Sequence, residues 1–270
     1  MIQSILNYLT ITIFVSSLWG IADRAQAELG AKEIVSRVIE QSKRKYFSAN
    51  VTMQLIDGSG KNRLRKFTLR SLDQGDYRAS LSNFSSPSDV KNTGFLSVNL
   101  DKDEQKSGRW MFIPSVGKTK KIPKAESHKK FMASDFSYAD LEPIKLERNK
   151  YRILKTAKLE GEAAWVIEVL PRDKAEAQRS GYKKSVLYVN QNRFTVLRSA
   201  HWLNDGKNVK LMRVLKEEKI DGKWLAKTVK MSSKNGKKTV HETIISFDDI
   251  DTQSPIASSF FTRRQLEKGH

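Results

Sequence analysis

The fold is decided by residues 108–141, which read GRWMFIPSVGKTKKIPKAESHKKFMASDFSYADL. An alternating strand from Arg109 to Ile113 ends at Pro114, and a lysine-rich loop follows it. A short apolar and aromatic stretch comes next, and its Ser and Asp residues are typical caps of short helices. A loop of this length inside a compact domain is usually functional or forms a lid. The stretch therefore predicts a strand, a basic loop and a set of short helices.

Segments in which apolar and polar residues alternate flank this stretch on both sides. An amphipathic helix from Ala31 to about Phe47 comes first, with apolar residues at i, i+3 and i+4 spacing. The alternating segments that follow are separated by turn signals such as Asn235-Gly236, which predicts about eleven or twelve consecutive antiparallel strands in one domain. A single sheet this long must curl or close. Only the N-terminal helix and residues 114–147 remain to cover its concave face.

The first residues are typical of an export signal. Residues 1–22 carry no charged side chain, and Ala25-Gln26-Ala27 supplies the small-x-small pattern of a cleavage site. We therefore expect a signal peptide over residues 1–27 and a periplasmic domain over residues 28–270. An uncleaved membrane anchor is the alternative, because the uncharged run is nearly long enough to span a bilayer.

The charge balance and the cysteine count narrow the partners. The chain has 49 Lys and Arg against 30 Asp and Glu, a net charge of +19, and no cysteine. The missing cysteines exclude a disulfide framework, a thiolate zinc site, a cysteine nucleophile and a lipid-modified N-terminal cysteine. An exported chain without an aromatic RNA-binding strand motif or a recognition helix is not expected to bind nucleic acid. Anionic membranes or acidic partners are the expected contacts of the basic surface.

The run RWMFIPSVGKTKKI, followed by FMASDFSYADL, closely resembles the signature of the LolA-like family of outer-membrane lipoprotein-sorting proteins. The leader, the lone helix, the strand series and the closing Phe260-Phe261 also fit, so the resemblance covers essentially the whole mature chain. It implies an incomplete antiparallel β-barrel, wrapped around an apolar cavity and plugged by short helices. It also implies a carrier of acylated cargo, a lipoprotein or a lipid, in a branch whose members are often partners of transporters of the resistance-nodulation-division (RND) type.

Two sets of candidate site residues follow from this resemblance. The apolar set is expected to line or cover the groove and consists of Trp110, Phe112, Phe131, Met132, Phe136, Tyr138 and Leu141. The basic set is expected to contact headgroups or a partner and consists of Lys118, Lys120, Lys121 and Lys124. The plainer interpretations are an aromatic core and a solvated loop. A strand arginine holds the lid of the lipoprotein carrier, and Arg63, Arg65 and Arg70 are all candidates for that role here.

Enzyme signatures do not compete with this interpretation. Gly117-Lys118-Thr119 lacks the earlier glycine of a P-loop, and the four histidines show no metal-ligand spacing. No G-x-S-x-G nucleophile elbow occurs in the sequence. We expect no catalytic residue, metal or cofactor, and a non-enzymatic periplasmic carrier that transfers acylated cargo between the two membranes. The alternative function is an accessory or sensor subunit that docks on an RND-type transporter or an envelope-stress regulator.

Overall fold

A computed structural model describes residues 29–103 and 106–269, and the predicted leader lies outside these described residues. Within them, thirteen strands form a single antiparallel sheet. The strands are β1 (Tyr46–Asp57), β2 (Asn62–Asp73), β3 (Tyr77–Ser86), β4 (Gly94–Leu100), β5 (Gly108–Ile113), β6 (Lys118–Lys121), β7 (Asn149–Leu159), β8 (Glu162–Pro171), β9 (Tyr182–Asn190), β10 (Val196–Leu203), β11 (Asn208–Ile220), β12 (Lys223–Asn235) and β13 (Lys238–Asp251). The α-helices are α1 (Ala31–Ser42), α2 (Lys174–Ser180) and α3 (Arg263–Lys268). None of the helices in the described part is long and apolar enough to cross a membrane.

The strand order explains why the central stretch lies where it does. The chain enters the sheet at its middle, where β1 pairs with both β2 and β13, and steps outward to the edge strand β6. Residues 122–148, which we call the crossing segment, then lead to the opposite edge strand β7. From β7 each strand pairs with the next until β13 returns to β1. Because β6 and β7 lie at opposite ends of this order, the incomplete barrel expected from the sequence is confirmed.

The number of strands exceeds the expected eleven or twelve because β6 lies inside the basic loop. Its sequence KTKK contains no apolar residue, yet it pairs with β5, with Lys118 opposite Ile113. Lysines are common on edge strands, where their charge prevents pairing with other chains. The two neighbours of β6 in sequence are short 3-10 turns, Pro114–Val116 and Lys124–Glu126.

Three apolar clusters hold the sheet and its covers together. On the inner face, the crossing segment packs on β1–β4 through Phe131, and α1 packs on β8 and β9 through Val35. On the outer face, the C-terminal residues Phe261 and Leu266 cover β2–β5. Gly94 permits this last contact, because a Cβ there would lie only 2.9 Å from the Leu266 carbonyl oxygen.

The N-terminal helix is shorter than the sequence pattern predicts. It ends at Ser42, and Lys43 is already extended with φ −66° and ψ 131°. Tyr46 and Phe47, which the pattern assigns to the helix, open β1 instead and pair with β2. Aromatic residues favour strands, and a neighbouring strand supplies more hydrogen bonds here than another helical turn. Helix α2 was not predicted, although its Asp173 N-cap and the left-handed Gly181 after it are recognisable helix signals.

Candidate functional site

A cavity of about 370 Å³ lies between the crossing segment and the second half of the sheet. Phe136 of the crossing segment forms part of its wall. The remaining apolar wall comes from α1 and the inner face of the sheet and includes Val35, Tyr151, Leu187, Val196, Met212 and Met231. Pockets of 300 to 1,000 Å³ with mainly apolar walls are typical of small-molecule sites. This cavity can therefore accept an apolar group roughly the size of a short alkyl chain.

Phe131 and Tyr138 fix the crossing segment to the first half of the sheet. Both are buried in one cluster with aromatic residues of β2–β4. The Phe131 ring lies 5.1 Å from the ring of Phe95 and 6.2 Å from that of Phe84, and Tyr138 lies 5.6 Å from Phe95. Edge-on and tilted aromatic contacts at these distances are favourable. Phe131 and Tyr138 therefore anchor the segment as core residues, whereas Phe136 faces the cavity.

Asp135 anchors the crossing segment to the centre of the sheet. Its carboxylate is fully buried and accepts hydrogen bonds from the side chains of Ser233, His241 and Thr243 at 2.6–2.7 Å. The backbone N–H of Asp135 also donates to the Thr243 hydroxyl oxygen at 2.9 Å. A buried carboxylate needs such donors because an unpaired one is costly to desolvate. These contacts join the crossing segment to β12 and β13.

Asp140 makes a second polar anchor one turn further along the crossing segment. Its carboxylate accepts the Tyr182 hydroxyl at 2.8 Å and the Ser137 hydroxyl at 2.8 Å. The ammonium group of Lys210 lies 3.7 Å from the same carboxylate. Burial and the neighbouring Asp140 charge raise the pKa of Tyr182 well above its usual value, and burial lowers the pKa of Lys210. Tyr182 is thus a neutral hydrogen-bond donor to Asp140.

These anchors meet a row of polar side chains on five neighbouring strands of the inner face. In strand order from β9 to β13 the row consists of Ser185, His201, Lys210, Ser233 and His241. His201 lies between two hydroxyl groups, 2.7 Å from Ser185 and 2.7 Å from Ser199. Burial lowers the pKa of His201 to about 4, opposed in part by Asp140. Among the described residues, no group of His, Asp and Glu side chains is arranged to hold a metal ion.

The structure selects one of the three candidate arginines. Arg65 on β2 donates a hydrogen bond to the backbone carbonyl of Met132. Met132 and its neighbour Ala133 both have left-handed backbone conformations, with φ of 47° and 55°. Arg70 lies on the outer face, over the ring of Phe260. Burial lowers the pKa of Arg65, and its contact holds a strained turn of the crossing segment in place.

A third anchor joins β5 to α2 and to the residues just before β7. Glu142 of the crossing segment accepts Arg109 from β5 at 2.8 Å and Arg179 from α2 at 2.6 Å. Arg148, just before β7, lies 3.4 Å from the same carboxylate. Burial lowers the pKa of Arg109. Burial also acts to lower the pKa of Arg179, but the carboxylates of Glu176 and Glu142 outweigh this effect, and the pKa of Arg179 is raised. We call Glu142 with these three arginines the Glu142 clasp.

Trp110 and Phe112 do not lie where the sequence pattern predicts them. Both pack on the outer face against Phe261 and Leu266 of the C-terminal segment. Met111, which alternates with them, contacts the inner aromatic cluster instead. The expectation that Trp110 and Phe112 form the groove wall is therefore wrong, because β5 presents its odd-numbered residues inward.

The remaining predicted residues are spread over several places. Met132 is half-buried against the aromatic cluster, and Leu141 is 39% exposed beside a separate cavity of about 780 Å³ near the end of α1. The lysines of the basic set are exposed on or just after edge strand β6: Lys118, Lys120, Lys121 and Lys124. The polar anchors were missed as site residues. Asp135 and Asp140 were assigned only as helix caps, and nothing in the sequence near Glu142 indicates that it joins β5 to α2.

An open antiparallel sheet whose edges are connected by a segment lying over its inner face is the LolA-like fold. The resemblance noted in the sequence is thereby confirmed at the level of fold. The chain belongs to the family whose model, described as an uncharacterized protein, matches residues 76–268. No curated protein matches the chain significantly.

Solved structures share the fold over nearly the whole of their length. A domain described as an outer membrane lipoprotein-sorting protein domain from Vibrio parahaemolyticus is 24% identical, with a TM-score of 0.78 over 88% of this chain and 98% of that one. A DUF1329 family protein from Desulfovibrio piger is 20% identical, with a TM-score of 0.78 over 87% and 97%. A LolA superfamily protein from Nitrosomonas europaea is 17% identical, with a TM-score of 0.68 over 88% and 99%.

Proposed function

We propose that this chain is a non-enzymatic periplasmic carrier that shields the acyl chains of a lipoprotein or lipid during transfer between the inner and outer membranes. The observation that carries the proposal is the apolar cavity between the crossing segment and the second half of the sheet. The lipoprotein-sorting name of the similar Vibrio parahaemolyticus domain supports the same cargo class. A leader cleaved after Ala27 would deliver the chain to the periplasm.

The energetics of alkyl burial suit reversible carriage in an open sheet. Burying one CH₂ group contributes about 0.8 kcal/mol, so even a partly buried acyl chain gains several kcal/mol. Full burial of two or three chains would make release too slow for a carrier. The cavity of about 370 Å³ holds only part of such a cargo. Further burial requires movement of the crossing segment, which is connected to the second half of the sheet through the polar anchors Asp135 and Asp140.

A fluorescent fatty-acid probe tests the proposed cavity. Phe136→Asp places a charge in the cavity wall and should weaken probe binding by at least about tenfold, since a charge opposes alkyl burial. The matched control is Phe260→Asp, because Phe260 is also half-buried but lies on the outer face. Unchanged probe affinity in Phe136→Asp, with the fold intact by circular dichroism, would refute this cavity as the acyl site.

The alternative is a docking or sensor subunit for an RND-type transporter or an envelope-stress regulator. One feature favours a protein partner: the outer edge of the long strand β7 is unpaired in the sheet. Mass spectrometry of material that co-purifies with the mature chain separates the two functions. A carrier should retain acylated lipid or lipopeptide, whereas a docking subunit should retain a protein and no acyl cargo.

A further inference from the structure

A further cavity, of about 570 Å³, opens between the two edges of the sheet and is rich in basic residues. One carboxylate, that of Glu142, is among its described lining residues. Six cationic residues line it, and we call this cavity the basic vestibule: Arg109, Lys121, Lys124, Lys145, Arg148 and Arg179. Lys121 turns its ammonium group to the ring of Trp110 on the outer face, at 5.9 Å. Lys145 and Arg179 are also paired with the carboxylates of Asp101 and Glu176, so the cationic groups remain in excess. Like charges gathered in a concave, partly desolvated site create a strong positive potential. Such a site favours an anion.

The Glu142 clasp supplies the vestibule with an internal counter-ion. The side chains of Arg109 and Glu142 are only 7% and 15% exposed, so their pairing is poorly screened by solvent. Both carboxylate oxygens of Glu142 are engaged by arginines that belong to different elements. A planar guanidinium binds phosphate and carboxylate oxygens equally well in geometric terms. A ligand oxyanion could therefore take the place of the Glu142 carboxylate.

The basic vestibule and the apolar cavity share part of their walls. Glu142, Lys145, Arg148 and Arg179 line both. The clasp thus stands at the boundary between a cationic compartment and an apolar one. This arrangement matches an amphiphile with a negative group close to an alkyl chain.

We propose that the basic vestibule binds the oxyanion, phosphate or carboxylate, of an amphiphilic cargo whose alkyl chain occupies the apolar cavity. The oxyanion competes with Glu142 for Arg148 and Arg179. This inference rests on the proposed carrier function, and it narrows the cargo to anionic acyl compounds. It also couples binding to the crossing segment, because an oxyanion that takes Arg179 from Glu142 releases the segment from α2.

Three ligands of sixteen carbon atoms each test the headgroup: palmitate, hexadecyl phosphate and hexadecanol. We expect both anions to compete for a bound fluorescent probe about tenfold better than the alcohol, and this preference to shrink as salt is added. A preference for the phosphate over the carboxylate would assign the oxyanion to a phospholipid-type headgroup, and the reverse to a free fatty acid. Equal affinity for all three ligands would overturn the vestibule proposal while leaving the carrier intact. No competition by any of them would refute the carrier function itself.

Some variants should lower the ratio of anion to alcohol affinity and another should raise it, so loss of structure alone cannot explain both results. Arg148→Gln and Lys145→Gln remove cationic groups of the wall shared by the two cavities, so the ratio of anion to alcohol affinity should fall toward one. Glu142→Gln removes the competing carboxylate, so the same ratio should rise several-fold. The control is Lys158→Gln, an exposed lysine on β7 outside the vestibule, which should leave the ratio unchanged. A ratio that falls equally in Glu142→Gln and Arg148→Gln would show that the clasp is only structural.

Discussion

The carboxylate of Asp135 accepts a hydrogen bond from Nδ1 of His241 at 2.6 Å, and this contact joins the crossing segment to the centre of the sheet. Asp135 is fully buried, whereas its partners belong to β12 and β13, about a hundred residues away in sequence. Long-range polar contacts of this kind are specific, because their geometry must be satisfied before burial becomes favourable. The position of the crossing segment is therefore determined as much by hydrogen bonding as by apolar packing.

Replacing Asp135 should destabilise the whole domain. In Asp135→Ala, the buried hydroxyl of Thr243 and the half-buried donors of Ser233 and His241 lose their acceptor, so we expect the free energy of unfolding to fall by about 3 kcal/mol. Asp135→Asn keeps one acceptor oxygen and should lose less. Urea denaturation followed by tryptophan fluorescence measures both values. Asp248→Ala, at an exposed position of β13, is the control and should change stability by less than about 0.5 kcal/mol. A loss in Asp135→Ala no larger than in this control would contradict the anchor role.

The left-handed turn at Ala133 should be relieved by glycine. Ala133 is exposed and has φ of 55°, a conformation that costs an L-residue roughly 1 kcal/mol. We expect Ala133→Gly to raise the free energy of unfolding by up to about 1 kcal/mol, after the entropy loss of glycine is subtracted. Ala257→Gly is the matched control, because Ala257 is exposed with an ordinary φ of −70° and should lose stability instead. Thermal melts of the two variants should shift in opposite directions, and a shift in the same direction would argue against strain at Ala133.

The buried histidine should make the domain sensitive to acid. The pKa of His201 is about 4 in the folded chain, below its ordinary value of 6.5, mainly because burial disfavours the charged ring. As pH falls, the unfolded chain takes up the proton first, so stability decreases between about pH 6.5 and about pH 4. The contribution of this group amounts to about 3 kcal/mol over that window.

A non-titrating substitution checks this assignment. His201→Gln should flatten the pH dependence of the urea midpoint between about pH 7 and about pH 4.5, whatever its effect on absolute stability. His128→Gln, at an exposed position, should leave the slope of the parent chain unchanged. If the His201→Gln slope equals that of the parent, another group is responsible for the acid sensitivity.

Local alternation was enough to predict most of the fold, because each strand and turn is encoded within about ten residues. Strand β6 was not predicted because KTKK contains no apolar residue and so shows no alternation. Its pairing depends only on β5. The orientation of β5 also depends on its partner: Trp110 and Met111 are both large and apolar, so the sequence pattern allowed either face. Only pairing with β4, where Leu96 lies opposite Trp110, decides between them.

The candidate site was predictable in position but not in chemistry. Residues 114–147 were expected to cover the concave face because only they and the N-terminal helix remained for it, and Phe136 was named as part of their apolar set. The polar anchors were not predictable, because Asp140 meets Lys210 only after β7–β11 have folded between them. Contacts between such distant residues leave no local spacing in the sequence. Which polar residues meet the crossing segment depends on the pairing register of the strands, and each turn sets that register for its own hairpin.

The lysines of β6 should contribute to binding at anionic membranes. Lys118 and Lys120 are exposed at a free sheet edge, and each lysine near an anionic bilayer contributes about 1 kcal/mol. We expect the double variant Lys118→Gln/Lys120→Gln to bind vesicles containing anionic phospholipid about thirtyfold more weakly at low salt. Lys155→Gln/Lys158→Gln is the matched control, because it removes the same charge from the opposite edge strand β7.

Vesicle binding is measured by co-sedimentation over a series of salt concentrations. The series distinguishes the contribution of the β6 lysines from that of the net charge of the chain. Screening over a Debye length of about 8 Å should weaken binding of the parent chain and reduce the difference between it and the β6 variant. Equal losses in the two double variants would mean that net charge alone attracts the chain to the membrane. In that case the lysines of β6 would serve mainly to keep an open sheet edge from pairing with other chains.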